Sequence, residues 1–176
     1  RKTLQSLLTP FVFRRYLDFS MIDSIREMKT MINSQMRRKG MVDNIKLGRG
    51  GIREIEFIGQ TLQLIRAGRD PELRERSIIR VLQLMADKQF LAQSQVDDLV
   101  SAYDLLRRLE NRLQMLADKQ THSLPSDELE RQRVTLAMGY DDWKSLLDDL
   151  AGHQDAVDTV FQDLIAPEED SPQQAS

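Results

Sequence analysis

Cysteine is absent from the sequence, which excludes disulfides and thiolate sites and suits a reducing compartment. The two histidines, His122 and His153, lie far apart, so a His/Cys zinc site is excluded as well. His122 falls in a loop and His153 on a helix, and each reads as a surface or satisfied histidine rather than a catalyst. There is no apolar run of membrane-spanning length and no signal peptide, so the chain is expected to be cytoplasmic, without a membrane partner. No internal repeat is visible. The first residue is Arg1 rather than Met, so the chain is expected to be a piece of a longer protein.

What is present is a 176-residue chain, long enough for one well-cored domain. Its formal net charge of −3 is unevenly spread. Residues 1–80 carry 17 Lys and Arg against 9 Asp and Glu, and the remainder carries 8 against 19. A basic half suits a phosphate-bearing ligand, or is simply a set of solvated helix faces. The acidic half argues against a nucleic-acid partner.

One stretch organises the rest: Ile45-Lys46-Leu47-Gly48-Arg49-Gly50-Gly51-Ile52-Arg53-Glu54-Ile55-Glu56-Phe57. Ile45 and Leu47 alternate with Lys46, which predicts a short extended segment with one buried face. Glycines 48, 50 and 51 then predict a turn able to approach something closely. From Ile52 the period is helical. One apolar stripe holds Ile52, Ile55, Ile58, Leu62 and Ile65, and a second holds Phe57, Thr61 and Leu64. A helix apolar on two faces is packed on two sides and belongs at the centre of a fold. Glycines before a helix expose backbone N–H groups where the dipole favours an anion, and Lys46, Arg49 and Arg53 crowd that end with positive charge. Two readings follow: a phosphate or carboxylate site, or a glycine turn whose cations are solvated or paired with Glu54 and Glu56.

Elsewhere the pattern predicts capped helices. Thr9-Pro10 and Ser20 start two, the second carrying Ile22, Ile25, Met28, Ile32 and Met36 and ending at Gly40 behind Arg37-Arg38-Lys39. The glycine-turn helix stops near Ala67 with Gly68. Asp70-Pro71 opens a connecting turn, and Ser77 caps a helix holding Ile78, Ile79, Leu82 and Met85. Ser94 begins the longest element, to about Lys119, in which Glu110 interrupts the stripe of Leu99, Tyr103, Leu106 and Leu113. A carboxylate facing inward needs a partner, and Arg107, Arg108, Asn111 and Arg112 are the candidates. Ser126-Asp127-Glu128 starts a helix that Gly139 ends, and Asp141-Asp142-Trp143 opens the last, with Leu146, Leu150, Val157, Val160 and Phe161 inside. Residues 1–166 are thus expected to form an all-α bundle of about six helices with one short extended segment. Residues 167–176, rich in Pro, Glu, Ser and Gln, are expected to be a disordered tail or linker.

Several runs resemble a known family. They are Tyr16-Leu17-Asp18-Phe19; Asp43 to Gly48 together with Gly50 to Phe57; Arg107-Arg108-Leu109-Glu110-Asn111-Arg112-Leu113-Gln114; and Gln120-Thr121-His122-Ser123-Leu124-Pro125. Together they resemble the bifunctional glutamine synthetase adenylyltransferases and adenylyl-removing enzymes over nearly the whole chain apart from the tail. The related uridylyltransferases of the PII signal protein carry a looser Gly-Gly-Ile-Arg-acidic-Ile run. The resemblance implies two nucleotidyltransferase halves, each a catalytic α/β domain followed by a helical domain. It also implies that this chain is the helical domain of the N-terminal half, which removes AMP from a tyrosine of glutamine synthetase by phosphorolysis and releases ADP. The other half adds AMP from ATP, and PII proteins and glutamine regulate both. Such enzymes hold magnesium on an Asp-x-Asp pair after a Gly-Ser turn, and this chain has neither. The metal is therefore expected on a preceding nucleotidyltransferase domain, and this chain alone is expected to be inactive.

Within this resemblance Glu54 and Glu56 are the candidate catalytic carboxylates. Lys46, Arg49, Gly50, Gly51 and Arg53 are the candidate phosphate or nucleotide contacts. Arg108, Glu110, Asn111 and Arg112 form a candidate supporting network. The alternative is a non-catalytic module that binds glutamine synthetase or a PII protein through its helices.

Overall fold

A computed structural model of the chain describes residues 44–117 and 122–165, together with Glu27, Thr30, Met31 and Ser34. The predicted helix starts at Thr9 and Ser20, the basic triplet Arg37-Arg38-Lys39 and the tail from 167 lie outside these residues. Glu27, Thr30, Met31 and Ser34 are helical. Five helices follow: α1 (Ile52–Arg66), α2 (Ile78–Asp87), α3 (Gln93–Ala117), α4 (Glu128–Met138) and α5 (Trp143–Ile165). A 3₁₀ turn, Pro71–Leu73, links the first two. The fold is an all-α bundle, and no strand occurs among the described residues. None of the described helices is long and apolar enough to cross a membrane.

The ends of these helices follow local chemistry. The Asp127 carboxylate accepts the Glu130 N–H at the start of α4, and Asp142 accepts the Ser145 N–H at the start of α5. Gln95 reaches back to the Ala92 N–H to open α3. Gly139 ends α4 in the left-handed region, at φ 83°. Two predicted ends differ in detail. The Ser77 side chain makes no cap bond to α2; instead Glu75 accepts the N–H groups of Arg76 and Ser77. After α1 the chain leaves through Ala67 in an ordinary right-handed conformation, and Gly68 has no positive φ.

α3 is the hub, since it alone packs on all four of the other described helices, whereas α1 meets α2, α3 and α5. The glycine-turn helix is thus packed on more than one side, as its two stripes require, but the longest helix takes the centre. Ile52, Ile55 and Ile58 of α1, Leu99, Leu106 and Leu109 of α3, and Leu146 and Phe161 of α5 are fully buried in one core. Each such side chain contributes roughly 1.5–3 kcal/mol by leaving water. Phe57 stacks on Phe161 at 5.8 Å, which joins the second stripe of α1 to α5.

The predicted extended segment is a turn. The Asn44 side chain accepts the N–H groups of Lys46 and Leu47, and its carbonyl accepts that of Gly48. An asparagine that bonds its own following backbone closes a turn instead of a strand. The face alternation fails with it: Ile45 is buried while Leu47 is 39% exposed. Pairing across the chain is limited to one antiparallel bridge, Asn44 with Ser123, beside the bond from the Ile45 N–H to the His122 carbonyl.

Candidate functional site

The glycine turn does not hold its amides open. The Gly50 N–H donates to the Glu54 carboxylate at 2.5 Å, and the Gly51 N–H to the Gly48 carbonyl. The N–H groups of Ile52 and Arg53 donate to the carbonyls of Ile45 and Lys46. The anion that compensates this helix start is therefore Glu54, one turn into α1. The close approach that the glycines permit is to protein. At Gly50, φ is 63°, and a Cβ would overlap the backbone of Gln154 on α5. A Cβ on Gly51 would meet the carbonyl oxygens of Ile45, Gly48 and Lys46 at 2.7–2.9 Å.

Arg49 also turns toward α5. Its guanidinium bonds Asp155 at 2.5 Å and Asp158 at 3.0 Å. The hydrogen bond to Asp155 raises its pKa above the usual arginine value, with Asp158 adding to this against partial burial. Most of this clamp faces water.

The charged centre lies deeper, where the turn, α1, α3 and the loop after α3 converge. Glu110 of α3 is 4% exposed. Its Oε2 accepts from Arg107 at 2.7 Å, and its Oε1 stands 3.2 Å from Lys46 Nζ and 3.1 Å from His122 Nδ1. Arg107 also bonds Glu56 of α1 at 2.8 Å and the Tyr103 hydroxyl at 2.9 Å. Glu56 holds Arg53 at 3.4 Å on its other oxygen. Burial pushes the Glu110 carboxyl up, but Arg107 and Lys46 outweigh it and leave it below the ordinary carboxylate value. Burial likewise opposes the charge on Arg107, and Tyr103 and Glu110 overcome it.

The predicted site residues thus separate into three groups. Lys46, Arg53, Glu56 and Glu110 share one seam, with Arg107, Tyr103 and His122 completing it. Arg49, Gly50, Gly51 and Glu54 build the turn and tie it to α5. Arg108, Asn111 and Arg112 do not join the Glu110 network. All three are exposed and line an open groove of about 510 Å³ with Gln114 and Met115. The reason is helical geometry: Arg107, three residues before Glu110, lies on its face, whereas Arg108 is about 200° away. The same spacing rule would have found Tyr103, four residues before Arg107. Nothing local marks His122, which reaches Glu110 only because the loop is strapped to the glycine turn.

A cavity of about 360 Å³ adjoins the seam, lined among others by Glu56, Gln60, Arg76 and Tyr103. Among the described residues no three His, Asp or Glu side chains converge so as to hold a metal ion. Glu110 and Glu56 are each already paired with cations of this chain.

The family model for GlnD PII-uridylyltransferase matches residues 26–165. The chain belongs to that family. Membership places it, at a coarse level, among proteins of nucleotidyl transfer in nitrogen regulation. The match takes in every residue of the seam and the loop that closes it.

Proposed function

We propose that this chain is the helical domain of the adenylyl-removing half of a glutamine synthetase adenylyltransferase, and that its charged seam receives the attacking phosphate. One observation carries the reading. Three of the runs that resemble that enzyme are far apart in sequence yet meet at one point: Lys46 and Glu56 from the first, Arg107 and Glu110 from the second, His122 from the third.

Phosphorolysis brings a phosphate dianion against an anionic adenylyl group, so positive charge and donors must already be in place. Lys46 and Arg107 have side chains 31% and 38% exposed, and Arg53 is more exposed still. These three cations face two carboxylates, Glu56 and Glu110, which leaves net positive charge at the mouth. Glu110 and Glu56 hold the cations in position beneath the solvent surface, so the donors need little reorganisation when an anion arrives. Magnesium, supplied by a catalytic domain outside this chain, would screen the adenylyl phosphate. Arg49, already neutralised by two aspartates, contributes to the placement of the turn.

The test is the complete enzyme with glutamine synthetase as substrate, assayed in both directions at varied phosphate. Lys46→Ala and Arg107→Ala are expected to raise the KM for phosphate in adenylyl removal about tenfold, the effect of one lost charged hydrogen bond. Adenylyl addition by the other half should stay within about twofold. Equal loss of both activities, or of neither, refutes the assignment.

The second reading, an interaction module, is favoured by a different surface. The groove of Arg108, Asn111 and Arg112 lies on the helix that also carries Met115, 73% exposed, and α4 presents Leu129 and Leu136 to solvent. If phosphate fails to protect the isolated chain against heating while a PII protein binds it, this reading replaces the first.

A further inference from the structure

Two buried polar atoms in the seam have no hydrogen bond in the structure, Glu110 Oε1 and His122 Nδ1; they lie 3.1 Å apart but misaligned, so that a turn of the imidazole ring would join them. A bare imidazole nitrogen against a carboxylate oxygen would be two acceptors in contact, away from water, which is expensive. One of them must carry a proton. Glu110 bonds Arg107 at 2.7 Å and stands 3.2 Å from Lys46 Nζ, so two cations keep it ionised and it can only accept. We infer that His122 carries its proton on Nδ1 and donates it to Glu110, which makes His122 a positioning residue for Lys46 and Arg107.

The geometry around the loop supports this role. The His122 carbonyl accepts the Ile45 N–H at 2.8 Å, and Ser123 bridges Asn44. Lys46 is the next residue after Ile45, so the loop grips the segment that carries Lys46 by its backbone and grips the partner of Lys46 by its side chain. With His122 donating, Glu110 faces three donors from three separate segments: Lys46 from the turn, Arg107 from α3 and His122 from the loop. Without that bond, Oε1 has Lys46 alone. The inference about phosphate rests on the proposed function; the inference about the proton does not.

The first measurement is ¹⁵N–¹H correlation of the histidine rings in this chain at neutral pH, with His122 assigned through His122→Asn. Protonated Nδ1, as either the neutral tautomer or the imidazolium, is the expected result. A bare Nδ1 with the proton on Nε2 overturns the inference.

The second measurement compares variants in the complete enzyme. An asparagine side-chain nitrogen replaces Nδ1 and keeps the donor, whereas His122→Gln and His122→Ala do not. His122→Asn should keep the KM for phosphate within about threefold of wild type. His122→Gln should raise it about tenfold, with a smaller change in kcat, as expected for one charge-assisted bond. Equal damage by Asn and Gln, at matched melting temperatures, overturns the positioning role. If Lys46→Ala leaves the KM for phosphate unmoved, the phosphate reading falls instead, and the ring spectra still decide the proton.

Discussion

Replacing Glu110 by alanine tests the seam directly. The change removes a carboxylate that is 4% exposed and breaks its bond to Arg107 and its ion pair with Lys46. Breaking a buried ion pair costs about 3–5 kcal/mol when a charge is left stranded. Here neither cation is stranded. Arg107 keeps Glu56 and Tyr103, and Lys46, 31% exposed, can turn to water. The expected loss is therefore smaller, about 2 kcal/mol, which for a chain of this size lowers the melting temperature by roughly 4–8 °C. Glu110→Gln keeps the volume and removes the charge, and should lose about half as much.

The pH dependence supplies the sign. The folded carboxyl sits below its ordinary value, so the unfolded chain binds its proton first as pH falls. The stabilisation is full above the ordinary carboxylate range and is lost as pH drops through the lowered folded value. The gap between wild type and Glu110→Gln should be present above the ordinary carboxylate range and should close in acid. Thermal and urea unfolding followed by circular dichroism at several pH values measures this. An unchanged melting temperature, or a gap that persists in strong acid, refutes the ion-pair account.

Other outcomes follow from particular contacts. Gly50→Ala should cost about 3 kcal/mol or more, because φ is positive and the new Cβ overlaps the Gln154 backbone; Gly139→Ala has the same φ problem but open space, and should cost about 1 kcal/mol. Urea midpoints of the two variants compare them, and equal costs would mean that α5 shifts freely. Asp127→Ala should lose about 1 kcal/mol by removing the cap on the Glu130 N–H, visible as faster amide exchange in the first turn of α4. Arg49→Ala should change stability by no more than about 1 kcal/mol, with the difference shrinking in high salt, since the pair with Asp155 is largely in water.

Much of this fold is legible in the residues alone because helices are local objects. Apolar spacing, the cap at Asp127 and the stop at Gly139 each act within a few residues, so the helix starts near 52, 78, 94, 128 and 143 could be placed from sequence. Glu110 was legible as an inward-facing carboxylate, and Arg107 as its neighbour, for the same reason. Asn44 misled: its neighbours alternate like a strand, but its own side chain closes a turn, and that competition is decided by three hydrogen bonds.

What only the tertiary structure decided is which partner each charge takes. Lys46, Arg49 and Arg53 stand within eight residues and look equivalent in sequence. Packing sends Arg49 to α5, Lys46 to α3 and Arg53 to Glu56 on its own helix. The glycines, which allowed either an anion site or a closed turn paired with its own carboxylates, are occupied by the Gln154 backbone and by the Glu54 carboxylate. His122 lies 12 residues beyond Glu110, and no periodicity connects a loop to a helix. Long-range charge pairing depends on where helices cross, and crossing is set by the whole core rather than by any stretch of the chain.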